Sequence, residues 1–184
     1  SGLDGKGRME EPENILRFMS DFFTPKSLSG KKILITAGPT YEKIDPVRFV
    51  GNYSSGKMGF ALAEVCAMRG AEVLLIAGPV HLKAKHANIK QMDVESAAEM
   101  YETVIKHYPE TDGAILCAAV ADFTPKHKEA KKLKREKEDL ILELEPTQDI
   151  AAALGKMKTS KQFSIGFALE TNDEQQNAML KIKN

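Results

Sequence analysis

Between positions 38 and 56 the chain gathers Gly38, Pro39, Thr40, Asp45, Arg48, Asn52, Ser54, Ser55 and Gly56 into one long polar loop. An apolar run at 33–37 precedes it and reads as a buried strand. A helical pattern over 57–69 follows it, with Met58, Leu62, Val65 and Met68 at helical spacing. A strand, a glycine-rich loop and a helix N-terminus make an anion site, because free backbone N–H groups and the helix dipole both favour negative charge. Ser54 and Ser55 add hydroxyls and candidate helix caps. A phosphate is the expected ligand, and a ligand-free strand-to-helix turn is the alternative. Arg48 could grip a phosphate or carboxylate with two bonds, or pair with Asp45; both readings stay open.

Two familiar phosphate motifs do not fit this loop. GNYSSGK, 51–57, matches part of a Walker A motif, but Met58 stands where Ser or Thr would hold magnesium. The dinucleotide fingerprint GxGxxG is absent, and the next strand, 72–77, runs into Gly78-Pro79 with no acid to hold a ribose.

CAAVADFTP, 117–125, carries small residues at the end of an apolar run, and Asp122 is its first polar side chain. Small residues at the C-terminal end of a parallel strand leave room for a ligand; Asp122 reads equally as a turn or cap residue. Directly after it, KHKEAKKLKREK (126–137) is either a solvated basic loop or a lid whose lysines swing onto phosphates. Phe167, ending a later strand, is either core or a stacking face for a base.

The elements that must position these residues alternate. Strands are expected at 33–37, 72–77, 113–118, 139–145 and 161–168, and helices at 57–69, 94–107 and 147–158, the last capped by Thr147. The helix at 94–107 should bury Ala97, Ala98, Tyr101, Val104 and Ile105. Alternating strands and helices predict a three-layer Rossmann-like α/β fold, a mainly parallel sheet with helices on both faces, here with a mobile flap. Upstream, 11–23 is a short amphipathic helix with Ile15, Phe18, Met19 and Phe22 on one side, followed by a linker at 24–30.

Composition narrows the class. The 184 residues balance 26 basic against 26 acidic side chains, which argues against a nucleic-acid or anionic-membrane surface. Cys66 and Cys117 lack paired spacing, so reduced cytoplasmic thiols are expected. No signal peptide or membrane-length apolar run is present. His81, His86 and His107 are scattered, and no metal site is expected.

ITAGPT, IDPVR and N-x-SSGKMG, in that order, resemble the signature of the phosphopantothenate–cysteine ligase family, the second activity of a bifunctional coenzyme A biosynthesis protein. The likeness covers 30–184 and implies a ligase domain there. Residues 1–29 resemble the tail of the preceding flavin-dependent decarboxylase domain, plus a linker, through GxxGxGRMxEP; Ser1 falls where that domain often has a catalytic cysteine. No FMN is therefore expected on this chain.

The resemblance implies a reaction in which 4′-phosphopantothenate attacks the α-phosphate of CTP, giving phosphopantothenoyl-CMP and pyrophosphate. L-cysteine then displaces CMP. It assigns catalytic roles to Asn52, toward the acyl group, and to Lys132 of the flap, with Mg²⁺ carried by CTP. CTP contacts fall on Cys117, Ala118, Asp122, Lys132, Gln148, Asp149, Ile150, Ala151, Phe167 and Lys181. Gly38, Arg48, Asn52, Ser54, Ser55 and Gly56 are left for phosphate or substrate. Thr147-Gln148-Asp149-Ile150 departs from the family's N/T-P-D-I by losing a proline, which rigidifies without ligating. Lys181 matches the first of two nucleotide lysines, and the chain stops before the second, so a truncated C-terminus is expected. The family usually forms homodimers. A NAD(P)-dependent reductase and an inert nucleotide-binding fragment are the competing readings.

Overall fold

The computed structural model describes residues 9–134 and 139–167. Its elements run α1 (Pro12–Phe23), β1 (Lys32–Ala37), β2 (Tyr41–Lys43), β3 (Phe49–Gly51), α2 (Lys57–Met68), β4 (Glu72–Ala77), β5 (Ile89–Asp93) and α3 (Ala97–His107). A short 3₁₀ turn at Tyr108–Glu110 leads to β6 (Gly113–Leu116), β7 (Phe123–Pro125), β8 (Leu144–Pro146), α4 (Ile150–Met157) and β9 (Phe163–Gly166).

The apolar runs become the centre of one parallel sheet, ordered β5-β4-β1-β6-β9. Leu34 in β1 sits opposite Leu74 on one side and Ala114 on the other. Strand side chains alternate between faces. Ile33, Ile35, Val73 and Leu75 pack under α2 against Phe60, Ala63 and Ala67. Leu34, Ile76 and Ala114 pack against Met100 and Val104 of α3 and Leu154 of α4. A sheet covered on both faces needs continuous apolar strands, which is why the runs lack polar alternation. The three-layer Rossmann-like fold matches the expectation. Strand order reverses at β1, where such sheets open a crevice at the C-terminal strand ends.

Several local expectations are corrected. α2 turns Gly59, Phe60, Ala63, Cys66 and Ala67 to the sheet and leaves Met58 and Val65 half exposed. The large apolar stripe is thus not the buried face. A Cβ on Gly59 would stand 2.5 Å from the Cβ of Ala37, so the helix approaches β1 through its smallest residues. In α3, Met100 is buried and Ala98 exposed. β5 was not anticipated, because IKQMD is a half-polar edge strand without clear alternation. The strand expected at 139–145 shrinks to β8, paired antiparallel with β7 outside the main sheet. Leu140 and Ile141, with no partner strand, stay exposed at 59% and 86%.

α1 buries none of its side chains among the described residues. It is tied to the domain by Lys26, whose Nζ donates to the Asp21 carboxylate (2.6 Å) and to the Met68 carbonyl (2.9 Å). His86 Nε2 lies 3.2 Å from the same carboxylate. No helix among the described residues is long and apolar enough to cross a membrane.

Candidate functional site

The crevice is built by polar side chains that hold backbone. Thr36 is the one hydroxyl in the apolar core of β1, and its Oγ1 accepts from the N–H groups of Cys117 (3.1 Å) and Ala118 (3.2 Å). The Gly38 carbonyl accepts from Ala119 N at 2.8 Å, and Thr40 Oγ1 accepts from Ala121 N at 3.0 Å. Both threonines are buried, so each bond replaces water that the loop has lost. From the other side Thr147 donates its hydroxyl to the Ala121 carbonyl (2.7 Å) and its N–H to the Asp122 carbonyl (2.9 Å). Asn52 Nδ2 donates to the Val120 carbonyl at 2.9 Å. Positions 117–122 are thereby fixed as a cradle, with Asn52 on one flank and 147–149 on the other.

The N-terminus of α2 borders the same rim. Its N-cap is Gly56, with φ 72°, and not a serine. Ser54 Oγ accepts from Gly56 N (3.3 Å) and Ser55 Oγ from Lys57 N (3.4 Å), long bonds that leave the hydroxyl hydrogens free to donate outward. Ser55, Lys57 and Met58 are exposed, so the dipole end of the helix faces solvent. Gly78 closes the floor: a Cβ there would lie 1.6 Å from the Pro39 carbonyl oxygen, so the loops after β1 and β4 touch backbone to backbone.

Arg48 pairs with Asp45. Its Nη1 donates to Asp45 Oδ2 at 2.7 Å, and Nη2 donates to the Leu133 carbonyl at 3.1 Å. Asp45 is buried and also accepts from the N–H groups of Val47 (2.8 Å), Arg48 (2.8 Å) and Leu133 (3.1 Å). Burial alone would raise its pKa; the three backbone donors and the Arg48 charge outweigh that and hold the carboxyl below its ordinary value. The arm after β7 is docked here as well, since Glu129 N donates to the Ile44 carbonyl at 2.8 Å. Lys132, next to the held Leu133, is exposed.

The remaining candidates divide. Cys117 and Ala118 lie half buried in the cradle, and burial pushes the Cys117 thiol up, away from thiolate chemistry. Asp149, not Thr147, caps α4, its Oδ1 accepting from Ala152 N at 2.9 Å. Ile150 is core, whereas Gln148 and Ala151 are exposed. Phe167 is 52% exposed and therefore not core. Lys181 lies outside the described residues. Sequence reasoning missed Thr36 and misassigned Thr147. A lone hydroxyl inside an apolar strand was the signal for the first.

On the β4–β5 side, a cleft of about 420 Å³ is lined by Gly78, Val80, Asp93, Glu95 and Glu99. Lys83 pairs with Asp93 and Lys43 with Glu95, each at 2.6 Å, so both carboxylates are already neutralised.

Comparison with known proteins places this architecture. Residues 28–184 match the DNA/pantothenate metabolism flavoprotein C-terminal domain, DFP. A prokaryotic protein described as a cysteine/cysteine sulfinic acid decarboxylase is 54% identical over 188 residues, covering 100% of this chain and 52% of its own length. The coenzyme A biosynthesis bifunctional protein CoaBC of Bacillus subtilis is 47% identical over 184 residues, covering 98% of this chain and 45% of its own. The chain thus spans about half the length of these relatives. Among solved structures, the C-terminal domain of a CoaBC protein superposes with a TM-score of 0.75 at 49% identity, covering 86% of this chain and 74% of that one. With its sheet, its cradle and its matched residues taken together, the chain belongs to the DNA/pantothenate metabolism flavoprotein C-terminal domain family.

Proposed function

We propose that this chain carries the ligase activity of coenzyme A biosynthesis, joining 4′-phosphopantothenate to L-cysteine with CTP through a phosphopantothenoyl-CMP intermediate. The observation that carries the reading is a convergence. The strapped cradle 117–122, Asn52, the exposed N-terminus of α2 and the Lys132 arm share the crevice end of one sheet. The CoaBC likeness supports a place in coenzyme A biosynthesis, and the resemblance to the ligase family names the substrates.

A carboxylate is a poor electrophile until it becomes a mixed anhydride with phosphate. The substrate carboxylate oxygen attacks the α-phosphorus, and the α–β phosphoanhydride bond breaks to release pyrophosphate. The cysteine amine then attacks the acyl carbon, loses a proton, and CMP leaves. Lys132 stabilises charge on the phosphates. Asn52 has one Nδ2 hydrogen committed to Val120, which leaves the other and Oδ1 to orient the acyl group. Ser54, Ser55 and the first N–H groups of α2 receive phosphate oxygens. Among the described residues no cluster of three or more His, Cys, Asp or Glu side chains is placed to hold a metal. Magnesium, carried on the triphosphate's own oxygens, would neutralise the leaving charge. Phe167, half exposed at the end of β9, offers a face for the base.

The reading includes fusion to a flavin decarboxylase domain in the longer protein and no FMN on this chain. It also includes a homodimer, supported by apolar side chains left exposed on the two antiparallel ribbons and their flanks: Val47, Phe49, Tyr53, Phe123 and Ile141.

Incubation with CTP, Mg²⁺, 4′-phosphopantothenate and cysteine should yield the amide, CMP and pyrophosphate. Asn52→Asp should slow consumption of the acyl-CMP by about 10²–10³-fold, and its formation less. Thermal-shift titration separates the rivals: stabilisation by NADPH alone supports a reductase, and by no nucleotide an inert fragment. The 54% identical relative sets a second reading, decarboxylation of cysteine or its sulfinate. Release of CO₂ without CTP would establish that one.

A further inference from the structure

We propose that Asp45 and Arg48 are positioning residues for Lys132, acting through the peptide of Leu133. This deepens the ligase reading and rests on it for the role of Lys132. The ion pair holds one residue by both backbone groups: Asp45 Oδ2 accepts from Leu133 N at 3.1 Å, and Arg48 Nη2 donates to Leu133 O at 3.1 Å. The pair is itself rigid. Its carboxylate is buried and tied to the turn by the N–H groups of Val47 and Arg48, and the 2.7 Å bond from Nη1 locks the guanidinium plane. Only a planar fork can hold a carboxylate with one nitrogen and a carbonyl with the other.

The held residues fix a frame. With Glu129 N on the Ile44 carbonyl, the basic arm is pinned at two points along the loop after β2. Lys132 stands next to the second pin, so its Cα is set by Leu133 and only its side chain must search for phosphate. A lysine on a loose loop would lose that orientation entropy at every turnover. The pair therefore acts on the rate of cytidylyl transfer from CTP more than on nucleotide affinity.

The test uses Asp45→Asn, Lys132→Ala and their combination in the full chain. Loss of a charged hydrogen-bond partner should lower kcat about ten- to a hundredfold, while the dissociation constant for CTP moves by less than about threefold. In the Lys132→Ala background, Asp45→Asn should add less than about twofold, because the two act as one unit. The Leu133 amide, hydrogen-bonded to Asp45 in the wild type, should exchange at least about tenfold faster in Asp45→Asn. Arg48→Gln, at a half-exposed position, should reproduce this pattern if Asp45→Asn fails to fold. Equal kcat losses with and without Lys132, or unchanged Leu133 exchange, overturn the proposal. If the wild type makes no amide from CTP, the ligase reading fails instead, and Leu133 exchange still reports on the anchor.

Discussion

The sheet interior and the rim above it are held by different forces. Inside, Leu34, Ile35, Leu75 and Ile76 are buried among apolar neighbours, and removal of their surface from water is the main stabilising term. At the rim, the buried polar side chains among the described residues are Thr36, Thr40, Glu42 and Asp45, all from β1, β2 and the loops that follow them. Each accepts from the backbone of another element: the cradle for the threonines, Ala97 of α3 for Glu42 (2.7 Å), and the basic arm for Asp45. Apolar burial is non-directional and tolerates small shifts, whereas a hydrogen bond weakens steeply with distance and angle. The interior therefore decides whether the chain folds, and the rim decides where its reactive groups stand.

Substitutions can pull these two roles apart. Leu34→Ala should be the costliest, at about 2–5 kcal/mol in chemical denaturation, yet the folded fraction should keep wild-type affinity for CTP. Loss of affinity in that fraction would break the distinction. Thr36→Val conserves shape but leaves the Cys117 and Ala118 N–H groups without an acceptor. It should cost about 1–3 kcal/mol and weaken CTP binding in calorimetry, the reverse coupling to Leu34→Ala.

A third effect is confined to acid. The Asp45 carboxyl is held below its unfolded value of about 3.9, so its contribution is present above that pH and lost as pH falls through the lower folded value. The stability gap between wild type and Asp45→Asn should thus narrow below about pH 4 and stay flat from pH 5 to 8. A gap that widened in acid would show that the charge is not stabilising. Smallest of all, Met58→Gln should change stability by less than about 0.5 kcal/mol, because the side chain is half exposed on α2 despite its place in the apolar stripe.

The interior was legible in the amino-acid order because continuous apolar runs of strand length between helical patterns leave few alternatives. The rim was legible only in part. Gly38, Asn52, Ser54 and Ser55 stood out as a polar loop, but that Asn52 reaches Val120 depends on two segments far apart in the chain. Thr147 read as a cap because it precedes a helix; its hydroxyl goes instead to Ala121, a contact with no local trace. β5 was hidden by its polar edge, and α2 by a packing distance that favours small residues over large ones.

That packing distance has an effect beyond stability. Gly59 abuts Ala37, the residue immediately before the Gly38 turn, so the depth at which α2 is seated also sets the height of Ser54 and Ser55 over the crevice. A side chain inserted at 59 would act as a shim, lifting the helix and retuning the reach of its first turn toward a bound phosphate. One missing methyl group thus calibrates a site that it never touches.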